Sequence, residues 1–413
     1  MFDKIILKNI TSLFGIQIAS YIIPLITLPY LIRVLGVEGY GYLGFSLAII
    51  QYALLFINYG FDLSATNSIA KVKNDKKKVS EIFWNILCIR VLACAVSFVF
   101  ILLLAIISET VKDIFPILQA TIVLVLGTAI FPQWLFQGKE QLGLVSVVRV
   151  FAQSLSVPLL FFLVNSKDDI WVATVIGGLP TMVVAIYSLY LIKKRKWVVY
   201  VRPSWMVIKL QLHDGWHVFI STTAISLYTT GVTVILGFIS GPISVGYFVA
   251  AEKLIKAVLG LYNTISRAFY PRVSSMVEAS KDQAKDLVFK LGRLLVAIAL
   301  VCSVFVFVLA DFGVSLIFGS NHDTTADILK IFSILPVVVS LSNVFGVQIL
   351  IPFGFKREFS KILLISGLAS LLILFPMVLL YDEYGAAISV VITELLVTVL
   401  MIYTVIKLRI MKV

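Results

Sequence analysis

Charged residues are scarce in this sequence. They make up 14% of the 413 residues, against roughly 25% in soluble domains. The three cysteines all lie inside apolar segments, which argues against a disulfide framework. No G-x-x-x-x-G-K-S/T motif occurs, so ATP binding through a phosphate loop of that kind is excluded. The largest polar segment, about 193–216, is too short for a separate catalytic domain.

Hydrophobic residues are abundant instead, at 60% of the chain. Apolar segments of about twenty residues recur throughout, and each is long enough to cross a hydrocarbon core as a helix. Backbone groups in lipid must be paired within the segment, so these segments should be helical. The sequence therefore predicts an all-α, multi-pass membrane protein. We predict twelve spans, at about 10–33, 41–63, 82–107, 114–136, 142–164, 170–192, 217–239, 247–270, 291–312, 328–351, 362–381 and 385–406.

Lysine and arginine are distributed unevenly between the two sets of predicted loops. One set contains the runs "KVKNDKKK" and "KKRK" and the basic tail, whereas the opposite set holds only Arg33, Lys112, Lys167 and Lys330. Because cytoplasmic loops are the basic ones, both termini are predicted to be cytoplasmic. The net charge of +12 is then explained by membrane insertion, and we predict no nucleic-acid partner.

An offset of 205 residues relates the two halves of the chain, pairing "LGVEGYGY" with "SGPISVGY". Both stretches precede an even-numbered predicted span, and six spans separate them, so the halves should have the same orientation in the membrane. This predicts two parallel six-helix lobes, 1–192 and 217–413, joined by a cytoplasmic linker, 193–216. The glycines are expected to allow a tight turn. The identities are Gly36 with Gly241, Gly41 with Gly246, Tyr42 with Tyr247, Ile50 with Ile255, Leu54 with Leu259 and Asn58 with Asn263.

Polar residues form a stripe on each of the two paired spans. Helical periodicity places Gln51, Asn58 and Asp62 on one face of span 2, and Lys253 and Lys256 on one face of span 8. A charge at mid-membrane costs roughly 3 kcal/mol unless it is paired or hydrated. The stripes therefore predict a water-filled cationic cavity that binds an anionic group, with tyrosines and Trp134 suited to sugar rings. The predicted substrate-binding residues are Lys253, Lys256, Arg267, Asn263, Gln51 and Asn58.

Further charged residues within the spans have other predicted roles. Arg90 and Arg149 are close to the predicted cytoplasmic face, where they could snorkel or form internal ion pairs. Glu394 is far from basic residues in the sequence, which makes it a candidate for ion coupling, together with Glu252 and Asp62. In the alternative interpretation, Glu394 pairs with Arg90 or Lys256 from another helix and has a structural role.

A histidine pair is the only motif that resembles a metal site. His213 and His217 are four residues apart in "HDGWH", but a third ligand is missing. We interpret the pair as part of an interfacial turn, and we predict neither a metal nor a cofactor.

Several longer motifs resemble the O-antigen flippases of Wzx type, in the polysaccharide transporter family. They include "PYLIRVLGVEGYGYLGFSLAIIQY", "NYGFDLSATNSIA", "QWLFQGKE", "HVFISTTAISLYTTG", "LGFISGPISVGYF" and "YPRVSS". The resemblance implies the fold of the multidrug and toxin extrusion (MATE) transporters of the MOP superfamily. It also implies that an undecaprenyl-pyrophosphate-linked O-antigen repeat unit moves from the cytoplasmic to the periplasmic leaflet of the bacterial inner membrane. Expected partners are this lipid-linked oligosaccharide and membrane lipids, with O-antigen polymerase and glycosyltransferases as further candidates.

Three other functions are compatible with parts of the sequence. An exporter of small amphipathic drugs could share the fold, although a cavity dominated by carboxylates would suit such substrates better. An enzyme acting on lipid-linked sugars would need a sizeable loop at one face, and the loops here are short. A scaffold could dock glycosyltransferases through "KKRKWVVYVRPSW". We therefore predict a transporter rather than an enzyme, working by alternating access.

Overall fold

Every regular element in the described part of the chain is a helix. The computed structural model describes residues 4–319, 322–408 and 410, without the side chains of 4–22, 261–265, 267, 268 and 271. A 3₁₀ turn at Lys167–Asp169 and a π-helix at Asn343–Leu350 accompany the α-helices. The α-helices are α1 Lys4–Asn58, α2 Phe61–Lys71, α3 Lys76–Ile107, α4 Glu109–Asp113, α5 Phe115–Ala120, α6 Ile122–Ile130, α7 Gln133–Gly138, α8 Leu142–Leu163, α9 Ile170–Lys194, α10 Trp205–Ile239, α11 Gly241–Ala279, α12 Lys281–Phe318, α13 Asp323–Phe332, α14 Leu335–Ser342 and α15 Lys356–Lys407.

Nine segments of the described residues are long and apolar enough to cross a membrane. The segment Ile23–Lys71 contains the predicted span 41–63 and part of 10–33, and the segment Lys356–Lys407 contains both 362–381 and 385–406. α1 is broken at Gly36, between the predicted spans 10–33 and 41–63, and α15 is broken at Asp382, between 362–381 and 385–406. The predicted span 247–270 lies in α11, which is not one of the nine. An all-α multi-pass membrane protein is thus confirmed, while the count of twelve spans stays a prediction.

The two glycines that the sequence offset pairs both have a positive φ. Gly36 has φ = 74° and Gly241 has φ = 81°, a left-handed region that costs residues with a Cβ roughly 1–2 kcal/mol. Each glycine stands where one helical stretch gives way to the next. The expected turns are therefore present at both positions. The relation of the two halves as parallel repeats stays a prediction.

The chain divides into two units, Met1–Thr223 and Ala224–Val413, with the boundary inside α10. The linker predicted at 193–216 is shorter in the structure, because α9 ends at Lys194 and α10 begins at Trp205. Side chains of α3 hold this linker. Ser80 Oγ accepts from the Val199 amide at 2.9 Å, and Asn85 Oδ1 accepts from the Ser204 amide at 2.8 Å.

In unit 1, small residues allow a close approach between α6 and α9. A Cβ on Gly127 would lie 2.8 Å from the Met182 nitrogen, and one on Gly178 would lie 2.8 Å from the Leu124 nitrogen. Either substitution would push the two helices apart, because real Cβ atoms do not approach backbone this closely. Elsewhere in this unit, Phe61 of α2 packs into a buried apolar core built mainly from α2, α3, α7 and α9.

In unit 2, the π-helix shares a buried core with α11, α12 and α15. Gln348 is fully buried, and its Nε2 donates to both the backbone oxygen and the hydroxyl of Ser266 at 2.8 Å. The Ser266 hydroxyl in turn donates to Asn343 Oδ1. Two amide side chains of the π-helix therefore meet one residue of α11.

Candidate functional site

The polar residues of predicted span 2 do not lie on one helix. α1 ends at Asn58, and Tyr59 and Gly60 then adopt positive φ values of 44° and 79°. α2 begins at Phe61. The prediction of a continuous helix through Asp62 is therefore wrong. Gly60 permits the turn, and a Cβ there would lie 2.7 Å from Val218 Cβ.

This turn nevertheless brings the predicted residues together in unit 1. A cavity of about 200 Å³, which we call the Asp62 cavity, collects side chains from seven helices, α1, α2, α3, α6, α7, α8 and α9. It contains five of the residues singled out from the sequence, namely Gln51, Asn58, Asp62, Arg90 and Arg149. The rest of its lining is Leu54, Leu124, Thr128, Phe131, Gln133, Thr181 and Val184. Two guanidinium groups and one carboxylate give it a net positive charge.

Arg90 is the buried arginine of the Asp62 cavity. It is 3% exposed, so it does not snorkel as the sequence suggested. Its Nη1 donates to the Phe131 carbonyl at 2.8 Å, and its Nη2 donates to the Thr128 carbonyl at 2.6 Å and to Asn58 Oδ1 at 2.7 Å. Three acceptors from α1 and the end of α6 thus hold one charged side chain of α3, which indicates a structural role.

Pro132 explains why one of the two carbonyls bound by Arg90, that of Thr128, lacks its α-helical donor. The last four carbonyls of a helix lack intrahelical partners, and proline has no N–H to donate to the carbonyl four residues earlier. The Thr128 carbonyl, four residues before Pro132, therefore lacks its α-helical donor and accepts from the Phe131 amide at 3.3 Å, while the Phe131 carbonyl accepts from the Gln133 amide at 3.0 Å. Arg90 supplies a second donor to each of these carbonyls. This signal is visible in the sequence "TAIFPQW", although it does not reveal which donor supplies the bonds.

The other polar groups of the Asp62 cavity have unused hydrogen-bonding capacity. Within the described part of the chain, the side chains of Gln51, Asp62 and Arg149 have no hydrogen-bond partner. Asp62 is half-buried, and Gln51 and Arg149 are exposed. The Asp62 carboxylate interacts electrostatically with both arginines. A bound group that carries negative charge and several acceptor oxygens could therefore complete this site.

The predicted stripe on α11 is only partly described. Lys253 is half-buried and Lys256 is exposed, while the side chains of Asn263 and Arg267 lie outside the described residues. Lys256 Nζ lies 2.7 Å from Glu252 Oε1, one helical turn away. The charge of Lys256 is therefore shared with a carboxylate on the same helix.

Glu394 lies half-buried in the middle of α15. It forms no ion pair with another described residue, and it interacts electrostatically with the buried Tyr228. The two basic partners proposed from the sequence are otherwise engaged, since Arg90 binds Asn58 and two carbonyls while Lys256 pairs with Glu252. The structural alternative for Glu394 is thus not the arrangement seen.

Two smaller predictions are also corrected. Trp134, suggested for sugar contacts, is 1% exposed and packs on Phe83 in the core of unit 1. His213 and His217 lie within α10 rather than in a turn, and among the described residues no cluster of three metal-ligating side chains occurs.

Comparison with known proteins agrees with the fold and with the resemblance found in the sequence. Residues 6–277 match the family described as polysaccharide biosynthesis protein. An Escherichia coli (strain K12) protein named "Putative O-antigen transporter" is 39% identical over 96% of this chain and 95% of its own length.

Two solved structures share the fold at low sequence identity. One is the lipid II flippase MurJ in an inward closed conformation, with a TM-score of 0.77, 11% identity and coverage of 96% of this chain and 86% of that one. The other is an inward-facing MATE multidrug resistance transporter of the MOP superfamily, with a TM-score of 0.71, 14% identity and coverage of 93% and 94%. The chain has the MATE-like fold and belongs to the polysaccharide biosynthesis protein family.

Proposed function

We propose that this protein is a flippase for an undecaprenyl-pyrophosphate-linked O-antigen repeat unit. It moves the lipid-linked oligosaccharide from the cytoplasmic to the periplasmic leaflet of the bacterial inner membrane, and both of its termini are cytoplasmic. The name of the Escherichia coli relative supports a transporter of this class, and so does the fold shared with the lipid II flippase MurJ. The low charge content and short loops favour transport over enzymatic chemistry.

The observation that carries the proposal is the Asp62 cavity. Its free guanidinium on Arg149 and free amide on Gln51 are donors that suit the oxygens of a pyrophosphate. Its volume of about 200 Å³ is below the roughly 300–1,000 Å³ of sites for drug-sized ligands. It therefore suits the pyrophosphate alone, with the sugars and the polyprenyl tail outside it.

The charge balance of the Asp62 cavity also argues against the alternative substrate class, small amphipathic drugs. An exporter of cationic drugs would need carboxylates in excess, and here Arg90 and Arg149 outnumber Asp62. Lys253, Lys256 and Arg267 of α11 remain proposed contacts for the same anionic substrate. Lys256 is the weakest of the three, because Glu252 already neutralises part of its charge.

Reconstitution of the full chain in vesicles tests the proposal. The substrate is a fluorescent polyprenyl-pyrophosphate oligosaccharide, and the readout is the fraction that becomes accessible in the opposite leaflet. Arg149→Ala should slow this transfer by about tenfold or more, because one charge-assisted hydrogen bond is lost. Val147→Ala on the same helix is the matched control, since Val147 is 69% exposed and does not line the cavity. Transfer at the wild-type rate in Arg149→Ala would remove the cavity from the mechanism.

A further inference from the structure

A second, larger opening lies in unit 2 and is lined by none of the residues assigned to the proposed substrate. This groove, which we call the α12 groove, has a volume of about 880 Å³. One wall is a single face of α12, from Asp282 to Leu300, and the other is formed by α14 and the π-helix. Its lining residues are Asp282, Lys285, Asp286, Val288, Phe289, Gly292, Arg293, Val296, Ala297, Leu300, Leu341, Val344, Phe345 and Ile349.

The polarity of the α12 groove changes along its length. All four charged residues lie between Asp282 and Arg293, and the lining residues of α12 beyond Arg293 are apolar. Gly292 forms part of the floor, where a Cβ would lie 3.2 Å from Val344 Cγ1. A ligand that fills this groove must therefore have a polar end and an apolar chain.

The order of the charged residues along α12 indicates which chemical groups the polar end of the ligand carries. Lys285 Nζ pairs with Asp282 Oδ1 at 3.0 Å. Asp286 and Arg293 are the other two charged residues of the groove, and both are exposed. They are seven residues apart, or two turns and about 10 Å along the helix axis. The Arg293 guanidinium lies 4.3 Å above the Phe289 ring, on the side of the groove that leads to the apolar wall.

We propose that the α12 groove binds one bilayer phospholipid with a primary amine in its headgroup, of the phosphatidylethanolamine class. The carboxylate of Asp286 binds the ammonium, the guanidinium of Arg293 binds the phosphate, and an acyl chain follows the wall from Val296 to Leu300. In such a lipid the phosphate lies between the ammonium and the chains, which is the order that the groove presents.

Other occupants fit the same charges less well. The pyrophosphate of the transported lipid carries no cation, so the carboxylate of Asp286 would repel it. An anionic phospholipid such as phosphatidylglycerol would meet the same repulsion. Phosphatidylcholine has a quaternary ammonium without N–H donors, so it could not donate hydrogen bonds to Asp286. The inference concerns a resident lipid, and it does not depend on the proposed transport function.

Native mass spectrometry of the purified full chain, exchanged into nanodiscs of equal phosphatidylethanolamine, phosphatidylcholine and phosphatidylglycerol, tests this inference. The wild type should retain phosphatidylethanolamine preferentially. Ala297→Trp, which fills the apolar wall, should lower its retention by about tenfold or more. Val301→Trp is the matched control, because Val301 is 70% exposed on the same helix and lies outside the groove.

Two variants that each remove one charge distinguish recognition of the lipid headgroup from nonspecific binding of lipid to the apolar surface. Asp286→Asn should abolish the preference for phosphatidylethanolamine over phosphatidylcholine, whereas Arg293→Gln should weaken retention of both. Elution of each variant as a single species in size-exclusion chromatography confirms that it is folded. Because Asp286 and Arg293 are exposed, their variants still test the proposal if Ala297→Trp fails to fold. Three results would overturn the proposal. The first is equal retention of all three lipids by the wild type, and the second is undiminished retention of phosphatidylethanolamine in Ala297→Trp. The third is displacement of phosphatidylethanolamine by a polyprenyl-pyrophosphate lipid to the same extent in the wild type and in Asp286→Asn.

Discussion

Arg90 donates a 2.7 Å hydrogen bond to Asn58, and the same guanidinium nitrogen also binds the Thr128 carbonyl at 2.6 Å. A second arginine of the same cavity, Arg149, is exposed and has no hydrogen-bond partner among the described residues. The two cations thus differ in what they contribute, although both line one cavity. Arg90 holds three helices together, and Arg149 is available to a ligand.

Substitution of these arginines should therefore separate stability from transport. Arg90→Ala removes the three hydrogen bonds that this buried side chain donates to α1 and the end of α6, so it should lower the free energy of unfolding by about 3 kcal/mol or more. Arg149→Ala should leave stability within about 0.5 kcal/mol of wild type while impairing transport. Thermal unfolding in detergent, measured beside vesicle transfer, checks both. Equal loss of stability in the two variants would contradict the distinction.

Asp62→Asn should strengthen binding of an anion in the Asp62 cavity. The substitution removes the only carboxylate among the described lining residues and keeps the size of the side chain. We expect binding of a soluble pyrophosphate sugar to tighten about fivefold at low ionic strength, or about 1 kcal/mol. Isothermal titration calorimetry measures this directly. Asp168→Asn, an exposed change of the same charge outside the cavity, should have no effect, and a fivefold gain there would show that only net charge matters.

Gly60→Ala should destabilise the turn that places Asp62 in the cavity. The residue has φ = 79° and an added Cβ would collide with Val218, so a loss of about 2 kcal/mol is expected. Gly177→Ala is the control, because this exposed helical glycine of α9 has open space around it. Alanine there should stabilise the helix by up to about 1 kcal/mol. Comparable unfolding temperatures for the two variants would rule out the conformational argument.

Glu394→Gln tests ion coupling. The half-buried carboxylate has no ion-pair partner among the described residues, so its neutralisation should leave folding and substrate binding intact. If Glu394 carries a proton, the variant should lose the dependence of transport on an imposed proton gradient. Transfer in vesicles with and without the gradient is the measurement. A stable variant that still responds to the gradient would leave Asp62 and Glu252 as the remaining candidates.

Asn85→Ala should release the linker between α9 and α10. The substitution removes the acceptor for the Ser204 amide, while the bond from Val199 to Ser80 remains. Trypsin should then cleave after Arg195 or Lys196 several times faster than in wild type. Ser97→Ala in the same helix, whose side chain forms no hydrogen bond to the linker, should cleave at the wild-type rate, which gel electrophoresis of a time course would show.

The helical class was predictable from the sequence because it follows from hydrophobic periodicity, and Gln51 and Asn58 of the cavity were predictable from polar periodicity on one helix. The turn at Gly36 was predictable for a similar reason, since the glycine falls between two apolar runs. The path of the chain at Tyr59 and Gly60 was not, because a polar stripe at helical spacing continues across the break. Asp62 reaches the cavity by a turn rather than by helical periodicity.

The partners of charged side chains were the least predictable part. Arg90 binds the Thr128 and Phe131 carbonyls, 38 to 41 residues away in sequence, and no local pattern specifies that pairing. Glu252 and Lys256 are four residues apart, a spacing that favours an ion pair on a helix, so this pair was visible in the sequence. We did not predict this ion pair, because Glu252 lies at the edge of the helix face that Lys253 and Lys256 share and was therefore not grouped with them.

The contact of the π-helix Asn343–Leu350 with Ser266 depends on the number of residues between Asn343 and Gln348. At α-helical spacing, side chains five residues apart point about 140° away from each other, whereas i to i+5 hydrogen bonding brings them to the same side. Asn343 and Gln348 both reach Ser266 for this reason. A single-residue deletion between them that retained both amide side chains would turn one of them away from Ser266, so this contact depends on the length of the segment as well as on its composition.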